Sequence, residues 1–128
     1  MSLRGAVAIA GAAESTRLGK VPDMSALQLH VDAALNALAD AGLEPSDIDG
    51  VASAGELPND VADYLGIVPE YIDATNVGGC SYMLHVRHAM AAIASGLCST
   101  VLVTHGESGR SRVGMQPWAP PPQSMMAQ

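Results

Sequence analysis

The residues best equipped for covalent chemistry lie in Asn76-Val77-Gly78-Gly79-Cys80-Ser81-Tyr82. A short strand-like run, Tyr71-Ile72-Asp73-Ala74, precedes them, and an apolar-periodic segment follows as far as Gly96. Two glycines and then Cys-Ser, set between a strand and a helix, describe a tight turn, because glycine permits positive φ or close backbone approach. Cys80 then sits at or beside a helix N-terminus. Unpaired N–H groups and the positive end of the helix dipole there favour a thiolate over a thiol, and nucleophilic cysteines occur in such surroundings. The same residues are also compatible with a small buried hydrophobe behind a simple turn.

The histidines are His30, His85, His88 and His105. His85 and His88 are three apart, on neighbouring helical positions, but no third residue is spaced with them as a metal site requires, so no metal is expected. His105 follows the last strand-like run. Strand C-termini face the crevice where parallel α/β sheets bind ligands, which makes His105 a site candidate. Cys98 falls at a helix end, away from helix N-terminal N–H groups, and reads as structural. Gly109-Arg110-Ser111-Arg112 reads as a solvated polar loop that could also meet an anion.

The totals exclude several classes. At 128 residues the chain has the length of one domain. Six Lys and Arg against thirteen Asp and Glu give a net charge of −7, which argues against nucleic-acid binding. With no Phe, the core must be aliphatic and Ala-rich. No apolar run reaches the roughly 20 residues of a membrane span, and no signal peptide is visible. A soluble, reducing, cytoplasmic setting is the expectation.

The elements that must position Cys80 and His105 alternate in kind. Gly5–Ala12 is a continuous apolar run that reads as a strand buried on both faces. Pro22-Asp23-Met24-Ser25 starts a helix with Leu27, Val31, Leu35 and Leu38 on one stripe, and Gly42 stops it. After the loop Leu43–Gly50, in which Ser46 is positioned to cap a short turn, Val51–Ala54 is a second strand. Pro58 opens a short helix ended by Gly66. Tyr71–Thr75 is the third strand. The helix after Cys80 carries Met83, Val86, Met90, Ile93 and Leu97 on a stripe expected to be core. Ser99–Thr104, rich in β-branched residues, is the fourth strand. The βαβαβαβ order implies a layered α/β domain with a mostly parallel sheet and right-handed crossovers, over residues 1–107. Residues 108–128 are polar and then Pro-rich (Trp118-Ala119-Pro120-Pro121-Pro122), a texture that fits neither helix nor central strand.

Several features together resemble the N-terminal half of the thiolase superfamily, in the branch of sterol-carrier-type thiolases and acetyl-CoA acetyltransferase-like proteins. Leu43–Val51 resembles the linker between that family's first helix and second strand. Asn76–Ser81 resembles its nucleophile turn, and His88–Cys98 its Ala-rich helix and Gly stop. The resemblance runs from about Gly5 to Gln128. It implies an α/β/α layered half-fold and a cysteine acyl-enzyme. Cys80 takes an acyl group from an acyl-CoA, for Claisen condensation or thiolytic cleavage, with Asn76, Gly79, Ser81 and His105 as oxyanion or substrate-binding candidates. Coenzyme A enters as substrate and no tightly bound cofactor is expected. The resemblance also implies a homodimer across the strand before the nucleophile turn.

Two departures bear on this. The family places its nucleophile three residues after an Asn, which from Asn76 is Gly79, so that Cys80 falls one late. A glycine in that slot resembles thiolase relatives that carry out aldol or retro-aldol cleavage of an acyl-CoA with an accessory protein. The family's C-terminal Gly-His-Pro histidine and second cysteine have no counterpart in the chain, so a truncated chain or one piece of a split enzyme is expected. A non-catalytic, dimerising half-domain is the third reading.

Overall fold

A computed structural model describes residues 2–109, 111 and 113. Helix α1 (Ala26–Ala41) begins at a capping box in which the Ser25 hydroxyl receives the Gln28 N–H and the Gln28 side chain receives the Ser25 N–H. It ends at Gly42, in the left-handed region at φ 69°. A 3-10 turn, Pro45–Asp47, leads into strand β1 (Gly50–Ser53). Its cap is the Asp47 carboxylate, which receives the Glu44 N–H at 2.8 Å, and not Ser46 as the sequence suggested. Helix α2 (Pro58–Leu65) starts on Pro58 and stops at Gly66. Strand β2 (Tyr71–Asp73), helix α3 (Ser81–Ala94) and strand β3 (Val101–Thr104) complete the described elements.

The sheet runs β2-β1-β3, all parallel, with Val51 opposite both Ile72 and Leu102. Helices α1 and α2 touch one another on one face, while α3 lies against all three strands. The result is the expected three-layered α/β arrangement. The core lies on the α1/α2 side, where Ala34, Leu38, Ile48, Val51, Val61, Ala62, Ile67 and Leu102 pack together. The Asp49 carboxylate receives the N–H groups of Ser99 and Thr100 at 2.8–3.0 Å and so fixes the entry to β3. Among the described residues no helix is long and apolar enough to cross a membrane.

Two larger expectations also fail. Gly5–Ala12 is not a strand, so the described order is αβαβαβ. The run lies along α1, where Gly11 meets the Ala37 carbonyl and Ala41 too closely for any side chain, and Ile9 is 81% exposed. A continuous apolar run specifies burial but not a pairing partner. Between this run and β3 lies a cavity of about 550 Å³, lined among others by Val7, Ile9, Ala34, Met90, Ile93 and Val103.

The large apolar stripe of α3 is not core either. The face buried against the sheet is Ser81, His85, Ala89 and Ala92, while Met83 is 76% exposed and Leu97 60%. Small residues and the hydrogen-bonded His85 take the sheet face, which leaves Met83 and Leu97 outward while Met90 and Ile93 are half-buried beside the cavity. On α1, Leu35 is likewise exposed while His30 is buried. Of the Pro-rich end, everything from residue 114 onward lies outside the described residues, as do Arg110 and Arg112.

Candidate active site

The turn before α3 is held from behind by Ser81. Its fully buried hydroxyl donates to the Gly78 carbonyl at 2.6 Å and receives the Val77 N–H at 2.9 Å. Asn76 Oδ1 receives the Gly78 N–H at 3.3 Å, an Asx turn. Gly78 sits at φ 92°, a conformation that requires glycine. Gly79 has no such backbone demand, and a Cβ there meets nothing within 4 Å. Space for a side chain therefore exists in the slot where the thiolase pattern puts its nucleophile.

Cys80 is the N-cap residue of α3, with no side-chain cap bond. It is exposed, its thiol lying 3.9 Å from the Val77 carbonyl. The thiol is thus presented at the mouth of the helix and not packed inside. Cys98, by contrast, is buried, and burial followed by the charges of Asp49 and Glu70 pushes its thiol up. Ser81 and the Asn76 Oδ1 hold the turn, while Asn76, Gly79 and Cys80 are exposed.

His105 stands directly after β3, at the C-terminal edge of the sheet. Its Nδ1 is hydrogen-bonded to the Tyr82 hydroxyl, and its Nε2 lies 3.7 Å from the Glu107 carboxylate. Tyr82 is the second residue of α3, so this bond ties the first turn of that helix to the end of β3. Burial, followed by Glu107, raises the Tyr82 phenol above its ordinary value.

Behind His105 lies His30 of α1, fully buried, its ring edge-on to His105 at 6.2 Å between centroids. Its Nδ1 is 2.8 Å from the Thr104 hydroxyl, and its Nε2 has no hydrogen-bond partner among the described residues. Burial, then the charge of His105, lowers His30 to about 4, so it is neutral. Gly106 makes this packing possible, since a Cβ there would fall 2.9 Å from the His30 ring.

A second polar group surrounds Asp73, at the end of β2. Burial opposes its ionisation, but hydrogen bonds from the Thr75 hydroxyl and N–H and from His88 outweigh it and bring it down to about 2. His85 is fully buried and bonds the Thr75 carbonyl at 2.8 Å. These histidines hold the β2–α3 connection. Among the described residues no group of three or more His, Cys, Asp or Glu is arranged to hold a metal.

The sequence pointed to Cys80 and His105 but not to Tyr82 or His30. His30 was visible in principle, because with Leu27, Val31, Ala34 and Leu38 it completes one helical face. Tyr82 meets His105 only through the α3 crossover, a contact with no local sequence signal.

No protein-family model matches the chain. It is 37% identical over 117 residues to the steroid side-chain-cleaving aldolase of Thermomonospora curvata, a match covering 87% of this chain and 29% of the relative. It is 34% identical over 113 residues to the 17-hydroxy-3-oxo-4-pregnene-20-carboxyl-CoA lyase of Mycobacterium tuberculosis, covering 85% and 29%. The chain therefore spans under a third of the length of the curated relatives it matches. Among solved structures it is similar to the Ltp2-ChsH2(DUF35) aldolase, with TM-score 0.65 and 32% identity over 86% of this chain and 31% of that one. It is also similar to a monomeric SCP2-thiolase-like protein of Mycobacterium smegmatis, with TM-score 0.63 and 29% identity over 74% of this chain and 22% of that one. The fold is thiolase-like.

Proposed function

We propose that this chain is part of a thiolase-like lyase that cleaves the carbon–carbon bond of a β-hydroxyacyl-CoA by a retro-aldol reaction, in company with an accessory protein. The observation that carries this reading is the identity of 37% and 34% to an aldolase and a CoA-ester lyase, each match covering more than four-fifths of the chain. Similarity to a solved aldolase whose name joins two components supports the accessory protein. The names of these relatives point to a substrate with a bulky ring system beyond the β-carbon.

The chemistry suits such a site. The β-hydroxyl gives up its proton, the Cα–Cβ bond breaks, and its electron pair passes into the thioester carbonyl as an enolate. The α-carbon then takes a proton. The products are a carbonyl compound and a shorter acyl-CoA, with no co-reactant and no covalent enzyme intermediate. A cysteine in the thiolase position is not needed, which agrees with Gly79 standing three residues after Asn76. Backbone N–H groups of the first turn of α3 would meet the enolate oxygen, the contribution that is usually largest in such reactions.

Acyl transfer through Cys80, the thiolase reaction proper, is the second reading, and the exposed thiol at the α3 N-terminus favours it. Incubating the full-length protein and its accessory subunit with a β-hydroxyacyl-CoA, followed by mass spectrometry, separates the two. The lyase reading predicts a carbonyl product and a shortened acyl-CoA. An acyl adduct on Cys80 without that carbonyl product would refute it.

A further inference from the structure

We propose that Tyr82 and His105 are the proton-handling pair of the bond-cleaving site: the Tyr82 hydroxyl takes the proton of the substrate's β-hydroxyl as His105 Nδ1 takes the phenolic proton. The inference rests on the lyase reading above and names residues that reading leaves open.

Four observations carry it. The two side chains come from different elements, α3 and the end of β3, and meet in a hydrogen bond between the phenol oxygen and Nδ1, with ring centroids 4.5 Å apart. The far nitrogen of His105 faces the Glu107 carboxylate at 3.7 Å, and with a proton on Nε2 the Nδ1 accepts from the phenol. A hydroxyl, an imidazole and a carboxylate in series are the arrangement by which a base is oriented and its cationic form stabilised.

Second, His105 is open to a ligand, and Tyr82 beside it is partly exposed. His105 is 44% exposed, and it lines both the 550 Å³ cavity and a second cavity of 250 Å³ bounded by Glu14, Leu18 and Glu107. Third, the pair is held rigidly. Tyr82 lies edge-on against the buried His85 ring at 5.7 Å on one side and against His105 on the other. His105 in turn backs onto His30, whose position Thr104 fixes. Preorganisation of this kind is what a proton-transfer site requires. Fourth, Tyr82 belongs to the first turn of α3, the helix whose N-terminus presents Cys80.

The proton path balances. The substrate O–H bond breaks as the phenol O–H is remade, and the phenolic proton moves to His105 Nδ1. The Cα–Cβ pair becomes the enolate, and the proton held by His105 returns through Tyr82 to the α-carbon. The pair ends in its starting state. Burial and Glu107 keep Tyr82 a neutral phenol, as a relay demands, and the neutral His30 places no cation against the imidazolium that forms.

The test uses the full-length protein with its accessory subunit and a β-hydroxyacyl-CoA, with binding measured on the analogue lacking the β-hydroxyl. Tyr82→Phe keeps the ring and is expected to lower kcat by roughly 10²- to 10⁴-fold, the usual worth of a placed acid–base group, with the Kd of the analogue unchanged. His105→Gln, acting through Tyr82, is expected to lower kcat comparably, again with the Kd of the analogue unchanged. The charged and titratable groups facing His105 are Tyr82, Glu107, His30 and, across the smaller cavity, Glu14. Circular dichroism establishes that each variant folds, and either variant alone decides the matter. A folded variant of either kind that cleaves at the wild-type rate overturns the pair and leaves the lyase reading standing. A wild-type complex that binds the analogue yet cleaves no β-hydroxyacyl-CoA overturns the lyase reading, and the pair with it.

Discussion

Helices α1 and α3 are similar in length and composition but are set into the fold in opposite ways. The start of α1 is sealed by a reciprocal capping box and its Leu38 and Ala34 enter the core. The start of α3 carries an exposed cysteine with no side-chain cap, is pinned from behind by Ser81 and the Asn76 turn, and turns Met83 outward. One helix terminus is spent on stability, and the other is kept open beside Tyr82 and His105. Loose, uncapped ends of otherwise regular elements are where reactive groups can be presented without dismantling a core.

The contrast can be broken or sharpened by substitution. The largest effect is expected for Leu38→Ala on the α1 side, a loss of about 2–5 kcal/mol of unfolding free energy in urea titration, because a filled core site becomes a cavity. A loss below ~1 kcal/mol would mean that this core is loosely packed.

His30 links α1 to the site rim through pH. Its imidazole is held down to about 4, so between the ordinary value of 6.5 and about 4 the unfolded chain binds a proton that the folded chain refuses. Stability should therefore fall as pH drops through that window, by about 3 kcal/mol in all. His30→Gln should flatten the slope in urea titrations at successive pH values. An unchanged slope would show that His30 is not the group responsible. Asp73 acts lower still: it stays ionised to about 2, so its contribution is present above the ordinary carboxylate value and is lost as pH falls from there.

At the α3 mouth, Ser81→Ala leaves the Val77 N–H and Gly78 carbonyl without their partner and should cost about 1–3 kcal/mol. Ser25→Ala at the α1 cap should cost about 1 kcal/mol. Smallest of all, Met83→Ala on the outward stripe should change stability by no more than about 0.5 kcal/mol. A large loss there would place Met83 in a contact beyond those described.

Much of this architecture was legible in the sequence because its punctuation is local. Pro58 and Gly66 bound α2, Ser25 and Gly42 bound α1, and Gly96 ends α3, all through backbone chemistry that acts within a few residues. What was not legible depends on distant neighbours. The apolar run Gly5–Ala12 looks like a strand, but hydrogen bonding decides strands, and that run lies against α1 with the cavity between it and β3. The stripe of α3 has the right period but the wrong side. The faces compete, and alanines together with the hydrogen-bonded Ser81 and His85 allow the tighter approach to the sheet. The exposure of Cys80 followed from its place at a helix start, whereas the use of Ser81 as a fastener and of Tyr82 as a partner to His105 emerged only once the crossovers were built.

The most direct test of the central claim, that the site breaks a carbon–carbon bond without an acyl-enzyme, is the turnover of Cys80→Ser in the full-length protein with its accessory subunit. The account predicts cleavage of a β-hydroxyacyl-CoA at nearly the wild-type rate. Loss of turnover in a folded Cys80→Ser protein, alongside an acyl thioester on the wild-type thiol, would contradict it.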